Sequence, residues 1–245
     1  MQQFSVPIIA VIFTFTGLLF GGTVGVLAKQ ILEKKMYGLY SFCGGILIGL
    51  LSLDLIPKTF STYHIAGPLL GTGLGLLLMI LVDIYFHSSA EQKTSQGLQA
   101  FFFLALAICI HNIPTGMALG ASMAAHEEAA SSLLLAIIFH HVPEGLALMI
   151  SFLFTPSKLI SYIFTIVSLS VVLGLGVSLG ELLQIKVRHL QGFILGGAVG
   201  TLSYVTVHEF LWKATQKLSF PLFVLYTAAG TILIKLYLDL FHYHH

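Results

Sequence analysis

Residues 111–119, HNIPTGMAL, and residues 140–148, HHVPEGLAL, are two versions of one pattern set 29 positions apart. In each, a histidine stands three positions before a proline, and a Gly-x-Ala-Leu run follows. On a helix, His111 and Thr115 occupy i and i+4 on one face, and His140 and Glu144 repeat that pairing. His141 reaches Glu144 as an i, i+3 neighbour, and Asn112 is the counterpart of His141 beside the other leading histidine. Pro114 and Pro143 withhold an N–H from the carbonyls of Ile110 and Phe139, and Gly116 and Gly145 loosen each helix at the same point. Imidazole, amide, hydroxyl, carboxylate and a freed carbonyl together suit a divalent transition ion, because imidazole favours zinc, iron, nickel or copper over alkali metals.

A proline–glycine kink alone explains part of either copy, and one buried histidine is ordinarily hydrogen-bonded core. The carboxylate is harder to dismiss, since an acid at mid-membrane costs about 2.5–3.5 kcal/mol even on insertion scales. Three histidines and one glutamate on two neighbouring helices, at one depth, predict two halves of a single coordination site.

The elements that must position these residues follow from composition. Of 245 residues, 57% are hydrophobic and 9% charged, and the mean hydropathy is +0.96. A soluble domain carries about 25% charged residues, so this chain lacks the polar groups to cover a water-facing surface. A membrane helix needs about 20 mainly apolar residues. Spans are predicted near 5–28, 37–57, 66–86, 99–122, 129–153, 159–182, 190–212 and 219–240. The expected fold is an all-α integral membrane protein with eight transmembrane helices, forming one transmembrane domain over residues 1–245. The first span is too long for a signal peptide and has no basic leader or small-residue cleavage site.

Basic residues set the orientation. With an outside N-terminus, inside segments hold Lys29, Lys34, Lys35, Lys93, Lys158, Lys213 and Lys217, and outside segments hold Lys58, Lys186 and Arg188. Both termini are therefore expected outside. Glu127 and Glu128 fall in an outside loop, where acids count for little. The net charge of +1 offers nothing to nucleic acid, and Cys43 and Cys109, both inside spans, make no disulfide framework. Small-residue runs at 21–25, 71–75, 174–180 and 196–200 predict close helix packing. The terminal FHYHH is set aside as a tail that any metal could find.

The paired motifs resemble the ZIP (Zrt/Irt-like) family of divalent metal transporters, whose fourth helix carries an H-N-x-P-E-G type motif and whose fifth carries a related x-x-x-P-E-G motif. The matches are HNIPTG at 111–116 and HHVPEG at 140–145, with weaker echoes in SLDLIP at 52–57 and VHEFL at 207–211. The resemblance extends over the whole chain. It implies a metal permease of the cell membrane, with the ion bound between the fourth and fifth helices and one helix group moving against another. A homodimer is an assembly it permits. It also implies that His111, Asn112, His140, His141 and Glu144 line the transport site for Zn2+ or for Fe2+, Mn2+, Cd2+ or Co2+.

Two departures matter. Thr115 stands where many members have a glutamate able to bridge two metals, so it lines the site without supplying charge. The stretch SLSVVLG at 168–174 on the sixth helix has no acid where the family places one. One main metal position is expected rather than two. Asp54 and Glu181 are candidates for an entry path, and His208 with Glu209 for the exit; Asp83 lies toward the inner end of the third span. With one glutamate, a divalent ion keeps a residual charge near +1. This suits an ion that must be released, and equally a protein that senses metal without moving it. An intramembrane zinc hydrolase is the remaining alternative, but no HExxH motif occurs, and His208-Glu209 lacks the second histidine.

Overall fold

In the computed structural model, residues 5–32, 36–89, 96–124, 129–153, 155–183 and 188–242 are described. They form eight long helices and no strand. The helices are α1 (Ser5–Leu32), α2 (36–62), α3 (Ala66–Ser89), α4 (Gln96–Ala124), α5 (Ala129–Phe152), α6 (Leu159–Leu183), α7 (188–215) and α8 (Phe220–His242). Most run a few residues past the spans expected from hydropathy. Among the described residues, seven hold a segment long and apolar enough to cross a bilayer. In α5, the side chains of residues 129–139 lie outside the described set. Of the residues that orient the chain, Lys34, Lys35, Lys93, Lys186, Glu127 and Glu128 also lie outside it, as do the last three residues of the tail.

The surface is what lipid requires. Leucine, isoleucine and phenylalanine point outward along α3, α6 and α8, with Phe164 at 72% exposure and Leu225 at 62%. Inside, the helices sort into two groups. In one, α1 packs along α5 and α6, and α4 packs along α6; in the other, α3 packs along α7, and α2 along α8. Contacts of α4 with α7, and of α2 with α5, join the groups. The small-residue runs act where expected: a Cβ on Gly75 would come within 2.5 Å of the Gly197 carbonyl oxygen, so α3 and α7 touch backbone to backbone.

Two features depart from plain helices. Leu51–Leu55 in α2 and Thr206–Trp212 in α7 are π-helical. Each contains a buried acid, Asp54 or Glu209, paired with a lysine four residues on, Lys58 or Lys213. By contrast, α4 and α5 continue through Pro114 and Pro143 without interruption. The described cysteines, Cys43 and Cys109, are free.

Candidate metal centre

The repeated motif brings its two halves together. One ligand atom each from His111 on α4 and from His140 and Glu144 on α5 lie within 4.8 Å of one another. All three residues are buried, at 2%, 5% and 1% exposure. The His111 and His140 rings meet nearly at right angles, with centroids 5.5 Å apart. Donors around tetrahedral zinc stand about 3.3 Å apart, given bonds of 2.0–2.1 Å, so an ion needs only a modest inward shift of these side chains. Glu144 Oε2 has no hydrogen-bond partner among the described residues, although His141 Nε2 lies 3.7 Å away. A buried carboxylate oxygen left in that condition is costly unless a cation completes it.

The neighbouring motif residues hold the frame. His141 Nε2 is 3.1 Å from Asn112 Oδ1, and Asn112 Nδ2 donates to the Leu169 carbonyl of α6 at 3.1 Å. Asn112 and His141 thus lock α4, α5 and α6 together beside the cluster, and both are fully buried. The acid-free stretch of α6 does face this region, but what it supplies is a backbone carbonyl. Gly116 permits the approach: a Cβ there would lie 2.5 Å from the Leu173 carbonyl oxygen.

His111 sits between two hydroxyls. Its Nδ1 is 3.2 Å from Thr201 Oγ1 on α7, and its Nε2 is 3.2 Å from Thr115 Oγ1. The Thr201 hydroxyl donates to the Gly197 and Ala198 carbonyls, each at 3.1 Å, so it is an acceptor toward the ring. Assigning the ring proton to Nδ1 leaves the Nε2 lone pair open. Thr115 in turn donates to the His111 carbonyl at 3.0 Å. The single Thr115 proton is thus shared between the His111 carbonyl and Nε2, and a cation on Nε2 would leave it to the carbonyl alone. A ring N–H held by a partner is what orients a metal-binding histidine. Thr201→Val is expected to weaken zinc binding about tenfold, while Thr201→Ser retains it; competition against a chromophoric chelator measures both.

The other expected residues stand apart. Asp54 is buried but paired with Lys58 at 2.5 Å, and it is not one of the residues that close on His111, His140 and Glu144. Glu181 is partly buried near the end of α6, its backbone against Gly120 of α4. His208 and Glu209 belong to a second polar group, about 10 Å further along α7 from Thr201 at 1.5 Å per residue. There Tyr204 donates to Asp83 of α3 at 2.6 Å, and His208 lies 3.7 Å from Asp83 and 3.2 Å from Glu209. Lys213 closes on Glu209 from the next turn. Sequence reasoning missed Thr201 and Tyr204. The available signal was their spacing with His208 at i, i+3 and i+7, a polar stripe on one face of α7.

An eight-helix bundle with an apolar exterior and a buried histidine–carboxylate cluster defines a multi-pass membrane protein able to hold a divalent ion. A family model described as ZIP Zinc transporter matches residues 87–237, well over half of the chain, and the chain belongs to that family. It is accordingly a divalent metal transporter and not an enzyme. No functionally curated protein matches the sequence.

Proposed function

We propose that the chain is a permease of the cell membrane that carries zinc, or a related ion such as Fe2+, Mn2+, Cd2+ or Co2+, into the cytoplasm. All eight helices span the bilayer, with both termini outside. The ion binds between α4 and α5 on His111, His140 and Glu144, with Thr115 lining the position and Asn112 and His141 holding the helices in register. The convergence of three buried ligand groups from two copies of one motif, in a member of a metal-transporting family, carries this reading.

Two further features fit it. Above the cluster, a small crevice between α4 and α7 is lined by Ala118, Ser122, Gln191 and Ile194. Ala118 and Ser122 continue the His111–Thr115 face of α4 by helical spacing, so the crevice points at the centre. Below it, Asp83, His208 and Glu209 offer the next oxygen and nitrogen ligands toward the cytoplasm. Only one carboxylate binds the ion, which keeps a net charge near +1 and is released readily. The site lies within the α1, α4, α5, α6 group, with Thr201 reaching it from the other group, so a movement of one group against the other changes the setting of His111.

The test is uptake of zinc into liposomes holding the purified protein. Saturable flux is expected; saturable binding without flux would instead favour a metal sensor. The pH dependence has a definite sign. Metal-bound imidazoles carry no extra proton, so the loaded state holds fewer protons than the empty one, and acid favours the empty state. Zinc binding is expected to weaken steadily as pH is lowered, measured by equilibrium dialysis in buffers of constant ionic strength.

A further inference from the structure

His64 and His189 belong to neither polar group. His64 lies in the turn between α2 and α3, and His189 in the first turn of α7; both are exposed. Their rings stand with centroids 5.4 Å apart at 65°. That is nearly the relation of His111 to His140, at 5.5 Å and 81°. Two imidazoles on one tetrahedral zinc place their centroids about 5 Å apart, given Zn–N bonds of 2.0–2.1 Å. The spacing of the two rings is therefore one that a shared ion would also require.

The backbones beneath the rings are fixed. A Cβ on Gly67 would lie 2.6 Å from the His189 carbonyl oxygen. A Cβ on Gly192 would meet Tyr63 Cβ at 2.8 Å and Pro68 Cδ at 2.9 Å. Only glycine at these two places lets the starts of α3 and α7 touch, and that contact mounts the two histidines side by side. A site held this way spends little on ordering when it binds.

Its place in the molecule is also particular. Tyr63, next to His64, and Gln191, two residues after His189, line the crevice between α4 and α7. From His189 to Thr201, which holds His111, is about 18 Å along α7 at 1.5 Å per residue. The histidine pair stands at the rim of the crevice, and the buried cluster lies beyond its floor.

We infer that His64 and His189 form a second, weaker metal site that captures a divalent transition ion at the crevice rim and feeds the buried centre. Two imidazoles with water completing the shell select zinc, nickel, copper or cobalt over magnesium and calcium, which demand oxygen ligands. Having only two protein ligands, both exposed, keeps the site weak enough to pass its ion on. The feeding role rests on the permease reading, whereas the binding role does not.

Equilibrium dialysis of zinc against the full chain in detergent separates the two roles. The parent is expected to show a tight phase and a weak phase. His64→Ala and His189→Ala each remove one zinc from the weak phase and leave the tight one, whereas Glu144→Ala removes the tight one alone. The terminal histidines are present in every variant and cancel in the comparison. Magnesium is expected to compete with neither phase. In liposomes, the two outer variants raise the KM for zinc by about three- to tenfold with little change in maximal rate. A weak phase unchanged in the His64→Ala/His189→Ala double variant overturns the site. Loss of the weak zinc with an unchanged KM overturns the feeding role. If the parent carries no zinc at all, loss of the weak zinc still establishes the pair as a metal site, and it is the permease reading that falls.

Discussion

Liposomes carrying Glu144→Ala are expected to take up zinc at least about 100-fold more slowly than those carrying the parent chain. Partners that merely orient a metal-binding side chain are worth about 10–100-fold in affinity, and in the proposed site Glu144 would give the ion a direct bond and the only negative charge of the His111, His140 and Glu144 cluster. Without it, two neutral imidazoles face a dication in a buried setting, with no charge opposing it. The fold moves the other way. A carboxylate at this depth costs about 2.5–3.5 kcal/mol, and its Oε2 lacks a hydrogen-bond partner among the described residues. The metal-free variant should therefore melt at the same temperature as the metal-free parent, or higher. A thermal-shift assay with and without zinc, at a concentration that fills only the tight phase, checks this: the parent gains stability from the ion and Glu144→Ala gains none. A variant that still transports would move the site elsewhere; one that fails to fold would contradict the carboxylate's standing as a functional cost.

Much of this was legible in the sequence because lipid leaves few alternatives. Every backbone group must be bonded within its own segment, so apolar runs of the right length become helices; each predicted span falls on an observed helix, and seven of those helices, among the described residues, are long and apolar enough to cross a bilayer. The motif's chemistry was legible for a similar reason. Positions at i and i+4 share a face in any helix, which placed Thr115 against His111, observed at 3.2 Å. Spacing does not say which of two adjacent histidines turns inward. Both His140 and His141 were expected on the ion, but only His140 joins the close cluster, and His141 takes the Asn112 amide. That division is decided by how α4 rotates against α5 and α6, a property of packing.

The π-helical turns were not legible either. An extra residue per turn leaves no mark on hydrophobic periodicity, yet it re-aims the side chains around Asp54 and Glu209. Such turns gather at functional sites because they place groups that a regular helix would misdirect. Thr201 was invisible for a further reason. It lies 90 positions from His111, in a glycine-rich run whose obvious role is close packing, and both roles are in fact present. The helix that touches α3 through Gly197 carries Thr201 one turn further on, where its hydroxyl stands 3.2 Å from His111 Nδ1.

Restoring the missing carboxylate should reverse the character of the site. Thr115→Glu is expected to bind zinc about two- to tenfold more tightly, or to take up a second ion beside the first. Thr115 is 7% exposed, and its hydroxyl already stands 3.2 Å from His111 Nε2, so a longer side chain there reaches the same ion. A second negative charge at about 4 Å contributes on the order of 4 kcal/mol at an effective dielectric of 20. Part of that is lost because an added buried acid carries the desolvation cost of about 2.5–3.5 kcal/mol noted for Glu144. The remainder, about 0.5–1.5 kcal/mol, is about two- to tenfold in affinity. The two effects separate by state. Without metal, the variant places two acids in one apolar pocket and should unfold at lower temperature than the parent; with zinc, it should be the more stable of the two. Transport should slow, because the neutralised ion leaves less readily than one holding a residual charge near +1. Zinc stoichiometry and affinity identical to the parent's would show that residue 115 does not reach the ion, and that the single carboxylate is no part of how this chain releases its cargo.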